Sequence, residues 1–355
     1  MDSRGLPVYQ LLKKTLGKRL KAIWSLQHGF MIDKQDNMIL SDSFYFEPWD
    51  LEIKSLYGER LLPADEWLEG VDTIIVDVFD VGTRVYTFIN HVLMVMNQLS
   101  GKGIEFLVLD RPNPLGGMVC EGNAASPDYF SIVGQVPVPM RHGLTAAEFL
   151  RFGRDYYKLD IPLKVVALEG FDREHRFTGI WTYPSPNMPS LQTAVVYPGA
   201  VLLEGTNLSE GRGTTRPFEF VGAPFVNAAE LISQLADSEL RGVTFIPVYF
   251  KPEFSKFAGE VCEGLLAHVA DFSQFRSFAV YYEIIRLIRR LYPSRFEWKK
   301  PPYEFEHERP PIDMINGSDS IRVALEKDVP FQQLEESLNR QIHAFRSAVE
   351  NALLY

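Results

Sequence analysis

The sequence predicts an α/β fold in two domains, the first built on a parallel sheet. Strands that read as continuous apolar runs, such as VDTIIVDVFD (71–80) and IEFLVLD (104–110), alternate with segments of helical periodicity, the pattern of a parallel sheet with crossover helices. These strands end in polar tips, and in a parallel sheet such tips fall along one edge, where open α/β sheets keep their ligand crevice. The length, 355 residues with 46% hydrophobic content, exceeds what a single core usually spans and suffices for two.

Residues 6–17 place Leu6, Tyr9, Leu12 and Leu16 at helical spacing, and LKAIWSL (20–26) follows as a buried strand. That strand runs into Gln27 and His28, an amide and an imidazole at its carboxyl end. A lone histidine in such a place is more often a hydrogen-bonded structural residue than a reactive one. Residues 31–60 read as irregular. After the strand at 71–80, VGTRVYTFINHVLMVMNQL reads as a helix capped at Thr83, which puts Asp77 and Asp80 at the strand's end and Arg84 and Tyr86 in the helix's first turn. The next strand tip carries Asp110, Arg111 and Asn113. Arg141 and His142 precede a helix opened by a capping box from Thr145 to Glu148, which assigns that glutamate to structure. LKVVALEG (163–170) reads as another strand. WTYPSPNMPS (181–190) breaks regular structure with its prolines and offers Trp181, Tyr183 and Asn187, groups that suit a sugar as well as they suit a linker. From residue 227 onward, helix and strand patterns alternate again and close on a C-terminal helix. The charged stretch WKKPPYEFEHERPPID in this part reads as solvated surface.

The richest polar run is LEGTNLSEGRGTTRPFEF (203–220), with Glu204, Asn207, Glu210, Arg212, Thr214 and Glu219 separated by glycines that let the backbone approach a ligand. Its chemistry is narrowed by what the chain lacks. A net charge of −10 argues against nucleic acid or an anionic membrane as partner and leaves small polar ligands. Cys120 and Cys262 alone make neither a disulfide framework nor a cysteine metal cluster. The patterns HExxH, GxxxxGK[ST], GxSxG and GxGxxG are absent, so no metal and no cofactor is expected. Carboxylate acid and base chemistry remains, as in hydrolysis of a glycosidic bond, with Glu204, Glu210 and Asp80 as candidates. Arg84, Arg111, Arg141 and Arg212 exceed what a neutral sugar requires and point to a substrate carboxylate. With no apolar leader or membrane-length segment, a cytoplasmic location is expected, or a periplasmic or secreted one if the N-terminus is truncated.

The stretches SLYGERLLP, VDVFDVGTRVYTFI, VLDRPNPLGG, PVPMRHGLT, PSPNMPSLQTAVVYPG, LLEGTNLSEGRGTTRPFEFVGAP and YEFEHERPPID run through nearly the whole chain in order. On them the chain resembles the exo-β-N-acetylmuramidase family, glycosidases of peptidoglycan recycling. The resemblance implies a Rossmann-like parallel-sheet domain that uses no nucleotide, over residues 1–195, a smaller α/β auxiliary domain over 196–355, and a pocket at their interface. It also implies release of terminal N-acetylmuramic acid from muropeptide-like substrates, whose lactyl carboxylate would account for the surplus arginines. Two departures stand out. The family pattern PEHGF is LQHGF here, so Gln27 takes the place of the family's leading catalytic glutamate, and an amide does not exchange a proton as a carboxyl group does. The chain also starts after the strand and loop that usually precede this point. The expected catalytic set is Gln27, His28, Asp80, Glu204 and Glu210. The expected sugar-holding set is Arg84, Tyr86, Arg111, Asn113, His142, Asn187, Asn207, Arg212 and Thr214. Both an active exo-muramidase and a weakened homologue that only binds such sugars are consistent with this pattern.

Overall fold

The computed structural model describes residues 5–36, 38–174 and 177–355. The chain opens with helix α1 (Val8–Leu16), followed by strands β1 (Ala22–Ser25), β2 (Phe44–Phe46) and β3 (Leu51–Ser55). β1 and β3 run parallel, from Ala22 opposite Glu52 to Ser25 opposite Ser55, and β2 lies antiparallel along the other side of β3. The leading residues of β3 alternate between buried and exposed, as a half-covered strand should.

Next come β4 (Thr73–Val76), helix α2 (Thr87–Leu99), β5 (Glu105–Leu109), the short antiparallel pair β6 (Glu121–Ala124) and β7 (Pro139–Arg141), helix α3 (Ala146–Tyr157) and β8 (Leu163–Val166). Strands β4, β5 and β8 form the expected parallel sheet in that order, with α2 and α3 in the connections between them. Ile89, Leu93 and Met96 of α2 share one core with Phe106 and Val108 of β5 and with Phe149 of α3. Here the sequence reading is corrected at one boundary. β4 stops at Val76, Thr83 bridges to Arg141 instead of capping a helix, and α2 begins only at Thr87. The intervening residues form the loop that carries Tyr86 to the sheet's polar edge. The capping box at Thr145 and Glu148 forms as read.

The second half contains α4 (Leu191–Ala200), β9 (Phe220–Ala223), α5 (Ala228–Leu235), β10 (Val243–Phe250), β11 (Cys262–Val269), α6 (Ser277–Leu291), α7 (Pro311–Asn316), α8 (Ser320–Glu326) and α9 (Glu335–Val349). β11 lies between β10 and β9 in an antiparallel sheet. Helix α6 is buried from Ser277 to Ile288 and meets α4 where Gly199 leaves room for Ser277, whose Oγ accepts from the Gly199 amide at 2.8 Å. The cores are not segregated by sequence. Tyr57, Val81 and Val85 pack in one cluster with α4, α6 and β11, while Phe345 and Val349 of α9 return to the core under the parallel sheet.

A short 3-10 turn (Val201–Gly205) brings Glu204 against α7, and Gly205 is the point of contact. A Cβ there would lie 2.7 Å from both Cα and Cβ of Ile312. We therefore expect Gly205→Ala to destabilise the fold by about 2 kcal/mol, the usual scale of an overpacked core, measurable as a lowered urea midpoint with an unchanged slope.

Candidate active site

A pocket opens where segments from both halves of the chain meet. Gln27, His28, Val85, Tyr86 and Thr87 come from the ends of β1 and the start of α2. Ser185 and Asn187 come from the proline-broken loop, Tyr197 from α4, Glu204 and Arg212 from the glycine-rich run, and Tyr303 and Glu304 from a late hairpin turn.

Two carboxylates face this space in different surroundings. Glu204 accepts from Arg212 Nη2 at 2.6 Å and from the Tyr303 hydroxyl at 2.8 Å. Behind it, Glu210 accepts from Lys256 Nζ at 2.9 Å and lies 3.4 Å from Arg212 Nε. Burial alone would raise the Glu210 carboxyl, but Lys256 and Arg212 outweigh it and hold the group below its ordinary range. The same two glutamates overcome the burial of Arg212 and lock it as a cation. Among the described residues, the Glu304 carboxyl accepts from neutral donors, Gln27 Nε2 at 3.0 Å and the Tyr57 hydroxyl at 2.6 Å. Its carboxyl is pushed up, first by burial and further by the charge of Glu204.

Gln27 is the hub of this second group. Its carbonyl oxygen accepts from Thr87 Oγ1 at 2.5 Å, which leaves its amide hydrogens for Glu304 and for Tyr57 at 3.2 Å. His28, in the left-handed region at φ 71°, donates through Nδ1 to the Lys34 carbonyl at 2.7 Å, and burial lowers its pKa to about 4. It is therefore a neutral wall residue near pH 7.

Of the expected residues, the structure brings Gln27, His28, Tyr86, Asn187, Glu204 and Arg212 to the pocket lining. It places the others elsewhere, each with a physical occupation. Arg84 is fully buried and donates to the carbonyls of Asn123, Val138 and Ile315, pinning three segments together. Arg111 pairs with Asp77 at the surface. Asn113 bridges the Leu115 amide and the Leu144 carbonyl, Asn207 bridges Arg295 and Glu297, and Thr214 closes a turn on Gly211. Glu210 belongs to the ion group behind Glu204. Asp80 and His142 are buried together outside the lining, with 3.9 Å between carboxylate and Nε2. Gln27, Asp80 and Asn207 thus do not share one pocket. Missed from the sequence were Tyr57, Thr87, Tyr197, Tyr303 and above all Glu304, whose charged stretch was read as solvated surface but which is only 5% exposed.

Paired carboxylates in a pocket beside a parallel α/β sheet fit a site of the glycosidase class. Family models described as exo-beta-N-acetylmuramidase NamZ match the chain over residues 1–192 for the N-terminal part and 195–355 for the C-terminal part. The peptidoglycan beta-N-acetylmuramidase NamZ of Bacillus subtilis (strain 168) is 36% identical over 340 residues, covering 95% of this chain and 80% of that protein. Among solved structures, a DUF1343 family protein of Bacteroides fragilis NCTC 9343 superposes with a TM-score of 0.86 at 27% identity, covering 100% of this chain and 91% of the other. A second from the same organism gives 0.71 at 24% identity, over 97% and 89%, and supports the fold alone. The chain belongs to the exo-β-N-acetylmuramidase NamZ family. Among the described residues no helix is long and apolar enough to cross a membrane.

The buried Asp80 and His142 generate a prediction about pH. Burial raises Asp80 to about 7 and lowers His142 to about 3, so both are neutral near pH 5. The Asp80 contribution is fully present below its unfolded value near 3.8 and is lost as pH rises through 7. His142 acts in the opposite sense, losing stability as pH falls from 6.5 toward 3. Asp80→Asn keeps the acceptor for the Gly82 amide and removes the first loss. It should be on the order of 2 kcal/mol more favourable relative to wild type at pH 8 than at pH 4, by chemical denaturation at both pH values.

Proposed function

We propose that this chain is an exo-acting glycoside hydrolase that releases terminal N-acetylmuramic acid from the non-reducing end of peptidoglycan fragments. The observation that carries this reading is the Glu204 and Arg212 pair on the pocket wall, a carboxylate for the reacting centre beside a guanidinium for the substrate anion. Of the four arginines offered for the lactyl carboxylate, Arg212 alone lines the pocket, and among the described residues its Nη1 makes a single long contact, 3.4 Å to the Gln35 carbonyl. That leaves one guanidinium edge for the substrate anion. Asn187 and Tyr86 stand as further sugar contacts. We place the division between the two domains near residue 195.

A second reading, a homologue that binds the sugar without cleaving it, is favoured by the amide of Gln27 where the resemblance implies a glutamate. One experiment separates the two. Purified protein is incubated with 4-nitrophenyl N-acetyl-β-muramide and with the corresponding glucosaminide, which lacks the lactyl group. Turnover of the muramide alone, lowered at least about 100-fold in Glu204→Gln, is the expected result, matching the usual weight of a catalytic carboxyl group. Calorimetric binding of N-acetylmuramic acid without turnover would establish the second reading instead.

A further inference from the structure

We propose that Glu304 is the proton donor of this pocket and that Gln27 is its positioning residue, so that the carboxyl group absent at position 27 is supplied from the other half of the chain. The inference rests on the muramidase reading of the same site. Its first support is placement. Glu304 lines the pocket, and Gln27 Nε2 and the Tyr57 hydroxyl each hold one of its oxygens. The Thr87 hydroxyl fixes which end of the Gln27 side chain faces Glu304, since it donates to the amide oxygen and leaves the nitrogen on the other side. Gln27 thereby does what an amide can do, which is orient a carboxyl group without exchanging a proton.

Its second support is the backbone. Tyr303 and Glu306 exchange amide-to-carbonyl bonds at 2.8 and 2.9 Å around Glu304 and Phe305, whose φ angles are 45° and 69°. A two-residue turn of this kind ordinarily takes Asn and Gly. Here both positions are L residues with large side chains, a conformation that persists only where the surroundings enforce it and one that clusters at active sites. The Phe305 ring stacks edge-on against Tyr57 at 5.3 Å, and Tyr57 in turn holds Glu304, so the turn is locked from both sides.

Its third support is the contrast with Glu204. That carboxylate is bonded to a guanidinium, whereas among the described residues the hydrogen-bond partners of Glu304 are neutral, and burial raises its carboxyl against the two bonds, which favour the anion. Two carboxyl groups whose surroundings differ in this way divide into acid and base. In the reaction, the Glu304 proton passes to the glycosidic oxygen while the bond from that oxygen to C1 breaks and its electron pair stays on the oxygen. Water forms the new bond to C1 and gives its proton to Glu204, and exchange with solvent restores both groups. The Tyr57 hydroxyl and the Gln27 amide stabilise the Glu304 anion left behind.

The test uses wild type, Glu304→Gln and Gln27→Glu on aryl N-acetyl-β-muramides with a poor (phenyl) and an activated (2,4-dinitrophenyl) leaving group. Loss of a proton donor should lower kcat at least about 100-fold for phenyl but less than about tenfold for dinitrophenyl, which needs no protonation. A misfolded variant would lose both, so the dinitrophenyl arm reports on folding. The alkaline limb of the wild-type pH profile should vanish in Glu304→Gln. It should move to higher pH in Gln27→Glu, where a second carboxyl group would share one proton with Glu304. An unmoved limb there would remove the positioning role of Gln27. Wild-type activity with equal effects of Glu304→Gln on both leaving groups, in a variant that keeps the wild-type circular-dichroism spectrum and urea midpoint, would overturn the proposal and leave the muramidase reading standing. Turnover by Gln27→Glu but not by wild type would overturn the proposal and, with it, the reading of this chain as an active muramidase. If neither protein cleaves any muramide, the muramidase reading fails and the proposal with it.

Discussion

The site depends on one buried ion group, in which Glu204 and Arg212 of the pocket lining are paired with Glu210 and Lys256 behind them. Taking four charges out of water is costly unless every charge is paired and its remaining donors are used. Lys256 meets that condition fully, since its ammonium reaches Glu210 and also the carbonyls of Leu203 and Leu208. Arg212 lies over the Phe218 ring at 4.9 Å and reaches toward both glutamates. The glycine-rich run therefore folds around its own charges. Gly211 and Gly213 take φ near 80°, and a Cβ on Gly213 would meet the backbone of Phe254 at 2.5 Å, so the chain can close on Lys256 only with glycine there. Removing Arg212 would leave two buried carboxylates facing each other, which makes the residue as much a part of the fold as of the site.

That arrangement also sorts the carboxylates. Glu210 is consumed by Lys256 and lies away from the lining, whereas Glu204 turns its second oxygen to Tyr303 at the pocket wall. Glu304 sits across from it among neutral groups supplied by β1, by the residues after β3 and by the first turn of α2. The strand ends hold these groups with little freedom, because the Leu56 amide is bonded to the Ser25 carbonyl at 2.8 Å and the Tyr57 amide to Ser55 Oγ at 3.1 Å. One half of the chain thus sets the environment of a carboxyl group that the other half contributes. The pocket exists only when both halves are folded against each other.

How much of this could be read from the sequence follows from which interactions are local. The parallel strands and α2, α3 and α6 were legible because their apolar runs and periodicities are local properties. Glu204 and Arg212 were legible as a cluster, since glycines and charges in one run announce a tight polar turn. The strand tips were legible as positions but not as destinations. Arg84, Asn113 and His142 follow the strand tips, yet each is bonded to backbone groups that the local fold would otherwise leave unpaired, through the Arg84 Nη atoms, the Asn113 amide and His142 Nδ1. Thr83 shows the same limit, for its β-bridge to Arg141 is a long-range contact that displaced a locally favourable cap. Glu304 was invisible because its partners lie more than two hundred residues away and the stretch around it, with Lys299, Lys300, Glu306, Glu308 and Arg309, is densely charged.

The late hairpin turn explains how so short a segment serves both carboxylates at once. In an extended strand consecutive side chains point to opposite faces, so Tyr303 and Glu304 would diverge. Tyr303 nevertheless reaches Glu204, and Glu304 reaches Gln27 and Tyr57, within one pocket. The left-handed backbone at Glu304 is what redirects the second side chain. Its cost, on the order of 1 kcal/mol or more for each such residue, must be offset by the contacts it creates, among them the bonds to Gln27 and Tyr57, the Tyr303–Glu306 backbone pair and the packing of Phe305. A shift of the turn by one residue would bring Phe305 to the position of the carboxyl group and leave Tyr57 and Gln27 without their acceptor. Strain, register and carboxyl placement at this turn are therefore one constraint, and the pocket's chemistry is fixed by the same bonds that hold the two halves of the chain together.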